Sequence, residues 1–139
     1  MSVSHAISFD VEEYFQVANL REPFPKADWD AIEPRLDIGM ERILGALERH
    51  GAKATFFFLG WIAERHPKWV ERCLEGGHEV ASHGYDHDFL WDLGPEGAAT
   101  DLERTEEALA AATERDFLDF WDSSSRPSLG GLRTKQSPS

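Results

Sequence analysis

The sequence predicts an α/β fold of about three βα units, with parallel strands and helices laid against them. Short apolar runs of strand length alternate with segments whose apolar residues recur every three or four positions. Connections after the helices are short, and the long loops follow the first and third strands. Parallel strands joined by helical crossovers are spaced this way. Barrels and open doubly wound sheets both place ligands beyond the carboxyl ends of such strands, so chemistry is expected on that rim.

Residues 5–11 (HAISFDV) form a mostly apolar, β-compatible run that stops at Glu12 and Glu13. Residues 14–35 contain Pro23, Pro25 and Pro34 and hold no sustained period, which predicts a long loop with a helical turn near Asp28, Trp29 and Asp30. Over residues 36–50, Met40, Ile43, Leu44 and Leu47 recur at helical spacing, and Gly51 stands where a left-handed residue ends a helix. Residues 53–59 (KATFFFL) make a continuous apolar run, as in a strand buried on both faces. Residues 61–75 read as helix, restarted at Pro67 and ended by Gly76 and Gly77. A short strand over 78–82 and a polar loop over 83–94 follow. Pro95 opens a last helix with Ala98, Leu102, Thr105 and Leu109 on one face and Asp101, Glu103, Glu106 and Glu107 on a solvated one, ending near residue 113.

The 139 residues suffice for one domain, and 41% hydrophobic with 29% charged residues is an ordinary globular composition. With 14 basic against 26 acidic residues, the net charge of −12 repels nucleic acid and anionic membranes. The longest apolar stretch, residues 56–63, is far short of the roughly 20 needed to cross a bilayer. The first residues show no basic, then apolar, leader pattern, so the cytoplasm is the expected compartment. The lone cysteine, Cys73, falls on a helical face and is expected to be a small buried residue. Residues 123–139 hold no acid and no aromatic, and the stretch 114–139 is expected to be a disordered tail behind a domain at 1–113.

Two clusters fall on the expected rim: Asp10, Glu12 and Glu13 after the first strand, and His83 and His87 after the third. Alternate residues of an extended strand point the same way, so Asp10 and Glu12 can face one pocket while Val11 packs inward. Histidines four apart converge if the loop begins a helical turn, and two imidazoles with one carboxylate make a first shell suited to zinc, iron or manganese. The second carboxylate is then free to act as a base. Each cluster alone has an ordinary explanation, as surface histidines or as acids capping a helix; their joint placement favours a metal site. His5, His50, His66 and His78 lack such context and are expected to be structural. Phe56, Phe57 and Phe58 are core, whereas Tyr14, Phe15, Trp29, Phe89 and Trp91 sit in the loops and suit either sugar stacking or anchoring.

Residues 8–15 (SFDVEEYF), 54–60 (ATFFFLG) and 77–87 (GHEVASHGYDH) together resemble the polysaccharide deacetylases of the NodB-homology family. The resemblance covers about residues 5–113, and its Asp-Val-Glu motif is similar to the subset tied to bacterial exopolysaccharide production. It implies a partial (β/α) barrel of that type and a hydrolase that removes N-acetyl groups from a polysaccharide or oligosaccharide. It also implies a divalent metal, often zinc, held by Glu12, His83 and His87, with Asp10 as general base and Glu13 as the substitute ligand for Glu12.

The family continues into an Arg-x-Pro segment and into later strands carrying an acid histidine and an arginine. None is recognisable here, and all six histidines lie at or before residue 87. The expectation is therefore a truncated domain with an exposed sheet edge through which copies could self-associate. A non-catalytic metal-binding fragment is the alternative. A receiver-like signalling domain would bind Mg²⁺ at the acidic cluster but wants an aspartate where Ser82 and His83 stand. An iron oxygenase shares the ligand set, but its usual all-β housing conflicts with the alternation.

Overall fold

The computed structural model describes residues 4–120, with side chains described for residues 4–113. The elements run β1 (Ser8–Val11), two 3-10 helices (Ala18–Leu20 and Lys26–Ala31), α1 (Leu36–His50), β2 (Thr55–Phe58), α2 (Gly60–Arg65), α3 (Pro67–Glu75), β3 (Glu79–Ser82) and α4 (Leu90–Phe120). Gly94 (φ 66°, ψ 177°) interrupts α4, so that Pro95 begins its long straight part as expected. The helix then runs on past residue 113 to Phe120, because residues 114–120 contain neither Gly nor Pro to stop it. The rest of the tail expected to be disordered, residues 121–139, lies outside the described residues.

The three strands are parallel and ordered β1-β2-β3, in register Val11–Phe58–Ser82. Sequential order is how successive strands sit in a (β/α) barrel. A receiver-type sheet would place its first strand between the second and third. That reading is therefore excluded by topology.

Phe56 and Phe58 are fully buried together with Val11, whereas Phe57 and Ala81 on the opposite face are half-buried and Asp10 is exposed. The expected burial of β2 on both faces is thus met on one face only among the described residues. Leu36, Met40, Leu44 and Leu47 of α1 bury the predicted stripe, and Gly51 (φ 61°) closes the helix with its N–H on the carbonyls of Leu47 and Glu48. On the outer side of β1, Ile7 and Phe9 border an apolar cavity of about 430 Å³ with Ile43, Ala46, Leu47 and Ala52. No helix among the described residues is long and apolar enough to cross a membrane.

The loop over 14–35 is anchored by aromatic packing. Phe15 and Trp29 are 1% and 2% exposed, and with Trp61 they form a triangle of rings 5.8 to 6.1 Å apart. These two rings are therefore anchors, while Tyr14 and Trp91 are exposed and Phe89 is half-buried.

Candidate functional site

The strand ladder continues one residue past its ends: the N–H of Leu59 bonds the carbonyl of Val11, and that of His83 bonds the carbonyl of Phe58. Glu12 and His83 therefore leave the sheet at the same level, on strands separated by β2. Glu12 Oε2 lies 3.1 Å from His87 Nε2 and 3.8 Å from His83 Nε2, and one donor atom from each of the three residues falls within 4.8 Å of the others. Asp10 Oδ2 stands 3.8 Å from His83 Nε2. All four expected residues meet on the predicted rim.

The histidines converge by a different route from the helical turn expected. The chain bends at Tyr85 and Asp86, and His87 takes a left-handed conformation (φ 65°) that turns its ring toward His83, with centroids 5.2 Å apart. A side chain at positive φ costs free energy, so its surroundings must hold it there. The amides of Gly60 and Trp61, which open α2 and have no partner within their own helix, donate to the carbonyls of Gly84 and Tyr85. Asp101 accepts the Tyr85 N–H with both carboxylate oxygens, and the Tyr85 hydroxyl donates to Glu64. From the 14–35 loop, Arg21 donates to the carbonyl of His87 and pairs with Asp88, while Lys26 pairs with Asp86 and Asp88. Burial pushes the Asp86 carboxyl up; burial acts likewise on Asp88, but the Lys26 hydrogen bond and charge hold that carboxyl below its ordinary value.

Asp101 thus departs from the expected solvated face of α4, because the bend at Tyr85 brings an otherwise unpartnered amide to it; Glu103, Glu106 and Glu107 are exposed as expected. Arg21 and Lys26 carried no signal in the sequence, since their partners lie about 60 positions away.

Glu13 is not at the rim. It is 1% exposed, and its carboxylate accepts the backbone N–H groups of Arg35 and Leu36 at 3.0 Å, capping α1 from a distant loop. Its proposed role as substitute ligand is thereby filled by other partners.

The donor set fits a divalent ion. Glu12 Oε2 and His83 Nε2 are buried without a hydrogen-bond partner among the described residues, an arrangement that is costly unless a cation completes it. Two bonds of roughly 2.1 Å at a tetrahedral angle put their donors roughly 3.4 Å apart, close to the spacings found. The Glu12 side chain is 19% exposed and that of Asp10 59%, so the first suits a ligand and the second a group that meets solvent and substrate.

The sequence pattern of the polysaccharide deacetylases matches residues 34–121. Over 90 residues the chain is 33% identical to a peptidoglycan-N-acetylglucosamine deacetylase of Listeria monocytogenes, covering 65% of this chain and 18% of that protein. Over 71 residues it is 37% identical to a chitooligosaccharide deacetylase of Rhizobium leguminosarum bv. trifolii, covering 51% and 33%. A crystal structure from Mycobacterium smegmatis assigned to the polysaccharide deacetylases superposes with a TM-score of 0.65 at 30% identity, over 78% of this chain and 39% of that one. The chain spans from about a fifth to two-fifths of the length of these relatives. The family pattern begins downstream of Asp10 and Glu12, so their part in the site rests on geometry. By the span of that match and by the fold it shares, the chain belongs to the polysaccharide deacetylase family.

Proposed function

We propose that the chain carries the metal site of a carbohydrate N-deacetylase, with Glu12, His83 and His87 as ligands and Asp10 as general base. The observation that carries this reading is the pair of buried metal-donor atoms on Glu12 and His83, without a hydrogen-bond partner among the described residues and facing each other at the carboxyl ends of parallel strands. Two imidazoles and a carboxylate suit zinc. The printed activities of the relatives support an N-acetylglucosamine polymer as substrate, and the Asp-Val-Glu motif favours a bacterial exopolysaccharide.

When bound, the ion supplies Lewis-acid polarisation of the acetyl carbonyl and of the attacking water. Asp10, on the same side of the chain as Glu12 and open to solvent, takes a proton from that water as its oxygen bonds to the acetyl carbon. The C–N bond then breaks, the proton passes to the departing nitrogen, and acetate and a free amine result. The acidic surface attracts the cationic product and repels anionic glycans.

The alternative, metal binding without chemistry, has one observation in its favour: Asp10 makes no side-chain hydrogen bond among the described residues that would orient it as a base. The test is zinc content of the chelator-stripped and reloaded chain beside acetate release from chitooligosaccharides. Stoichiometric zinc with acetate supports the deacetylase; zinc without acetate supports the alternative. Failure to retain zinc, or retention by a His83→Ala/His87→Ala double variant, refutes the ligand assignment. Asp10→Asn is expected to keep zinc and lose acetate release.

A further inference from the structure

Two and four residues past His87, Phe89 and Trp91 stack with ring centroids 4.3 Å apart and planes 12° from parallel. Trp91 is 77% exposed, so the indole face turned away from Phe89 is open. Large exposed aromatic rings on a soluble domain cost free energy and mark binding surfaces. This one is also held in place: the Arg21 guanidinium lies 5.0 Å above the Phe89 ring, and the same Arg21 donates to the carbonyl of His87. Arg21 thus ties Phe89, and through it the stacked Trp91, to the loop carrying two of the three metal-site residues.

We propose that the open face of Trp91 is a stacking subsite for a neutral pyranose ring of the glycan, at a sugar unit beyond the one that carries the reacting acetyl group. The inference rests on the carbohydrate reading above and adds to it a named contact outside the catalytic centre. An indole face carries negative electrostatic potential, which matches the polarised C–H hydrogens on the flat side of a pyranose. Phe89 beneath it removes the freedom that a lone exposed tryptophan would lose on binding, so less affinity is given up to ordering. The neighbouring exposed Asp92 can accept hydrogen bonds from sugar hydroxyls, and with the net charge of −12 it disfavours uronate-bearing or sulfated chains. Because the platform, Phe89 and the first turn of α4, directly follows the His83–His87 loop, a ring stacked there holds the chain in a fixed register against the site.

The experiment titrates chitotetraose into the zinc-loaded full chain by calorimetry, for wild type, Trp91→Phe and Trp91→Ala, with zinc content measured in each. The expected result is that Trp91→Ala weakens binding about tenfold or more, Trp91→Phe keeps it within about threefold, and zinc content is unchanged. Equal affinity in wild type and Trp91→Ala overturns the subsite while leaving the deacetylase reading intact. Loss of zinc in Trp91→Ala also overturns it, since the ring would then be a brace for the loop. If Trp91→Ala instead abolishes self-association in sedimentation with chitotetraose affinity unaltered, the ring is a protein contact and the subsite is wrong. A zinc-loaded wild type that binds no chitotetraose refutes the carbohydrate reading itself, and the subsite with it.

Discussion

Glu12 and Glu13 are chemically alike and adjacent, yet the structure gives them unrelated surroundings, and exchanging which one is removed tests the separate tasks proposed for them. Glu13→Ala deletes a buried carboxylate that accepts two backbone donors at the start of α1. Losing a helix cap costs about 0.5–2 kcal/mol, and leaving buried donors without a charged acceptor adds to it, so a destabilisation of about 3 kcal/mol is expected. In a chain of this size that lowers Tm by roughly 10 °C. Glu13→Gln keeps an acceptor oxygen and is expected to lose about half as much.

Glu12→Ala should do the reverse. In the metal-free chain it removes a buried oxygen that has no hydrogen-bond partner among the described residues, so stability is expected to be unchanged or slightly higher. What disappears is the response to zinc: a metal present at 100 times its Kd stabilises the folded form by about 2.7 kcal/mol. The assay is thermal unfolding of wild type and the two alanine variants with chelator and with added zinc. Wild type and Glu13→Ala should gain comparable increments on zinc addition, starting from different baselines, and Glu12→Ala should gain none. A zinc increment retained by Glu12→Ala and lost by Glu13→Ala would refute the assignment and return Glu13 to the rim.

Three further outcomes follow from the packing. His78 is buried and accepts the Ala54 N–H on Nδ1; burial, with Lys53 adding to it, holds its pKa below the ordinary value. The unfolded chain then binds the proton more readily, so this contribution to stability is complete above about pH 6.5 and is lost as pH falls through the lower folded value. Urea midpoints compared between pH 7.5 and 5.5 should fall more for wild type than for His78→Gln. Cys73 is fully buried and its thiol is pushed up to about 12, so a disulfide reagent should titrate it only on unfolding; rapid labelling of the folded chain would contradict the packing. Gly60 has no room for a side chain, since a Cβ would lie 2.6 Å from the Tyr85 ring and 3.1 Å from Thr105 Cα. Gly60→Ala should destabilise by about 1–3 kcal/mol and weaken zinc retention, because the Gly60 N–H holds the Gly84 carbonyl of the histidine loop.

The parts of this molecule that were legible in the sequence are those set by local periodicity. The stripe of α1, its stop at Gly51 and the restart at Pro67 each follow from residue type and spacing, and the structure has all three. The split between Glu12 and Glu13 was also within reach: the exposed, buried, half-buried, buried sequence from Asp10 to Glu13 is the strand's own alternation carried past its last paired residue. What local pattern could not convey is contact between distant segments. The docking of Arg21 and Lys26 onto residues 86–88 depends on how a proline-rich loop folds back, and Phe15 and Trp29 became core only because Trp61 arrives beside them. Asp101 looked like its acidic neighbours because nothing in a helical wheel records which amide another loop will offer.

The placement of Glu12 and Asp10 beside His83 follows from the sheet. Because β2 separates β1 from β3, the backbones carrying Glu12 and His83 are two strand spacings apart, about 9.6 Å. Two side chains must close that gap to within a metal's reach, and each extended Glu or His side chain spans about half of it. Asp10 Oδ2 reaches His83 Nε2 at the same 3.8 Å as Glu12 Oε2, but of the two acids Glu12 is the one that also lies 3.1 Å from His87 Nε2, and the Asp10 side chain remains 59% exposed where a water and a substrate can come to it. The strand order and the alternation of the chain put both acids beside His83, and it is the further approach of Glu12 to His87 and the exposure of Asp10 that support the proposed division into ligand and base.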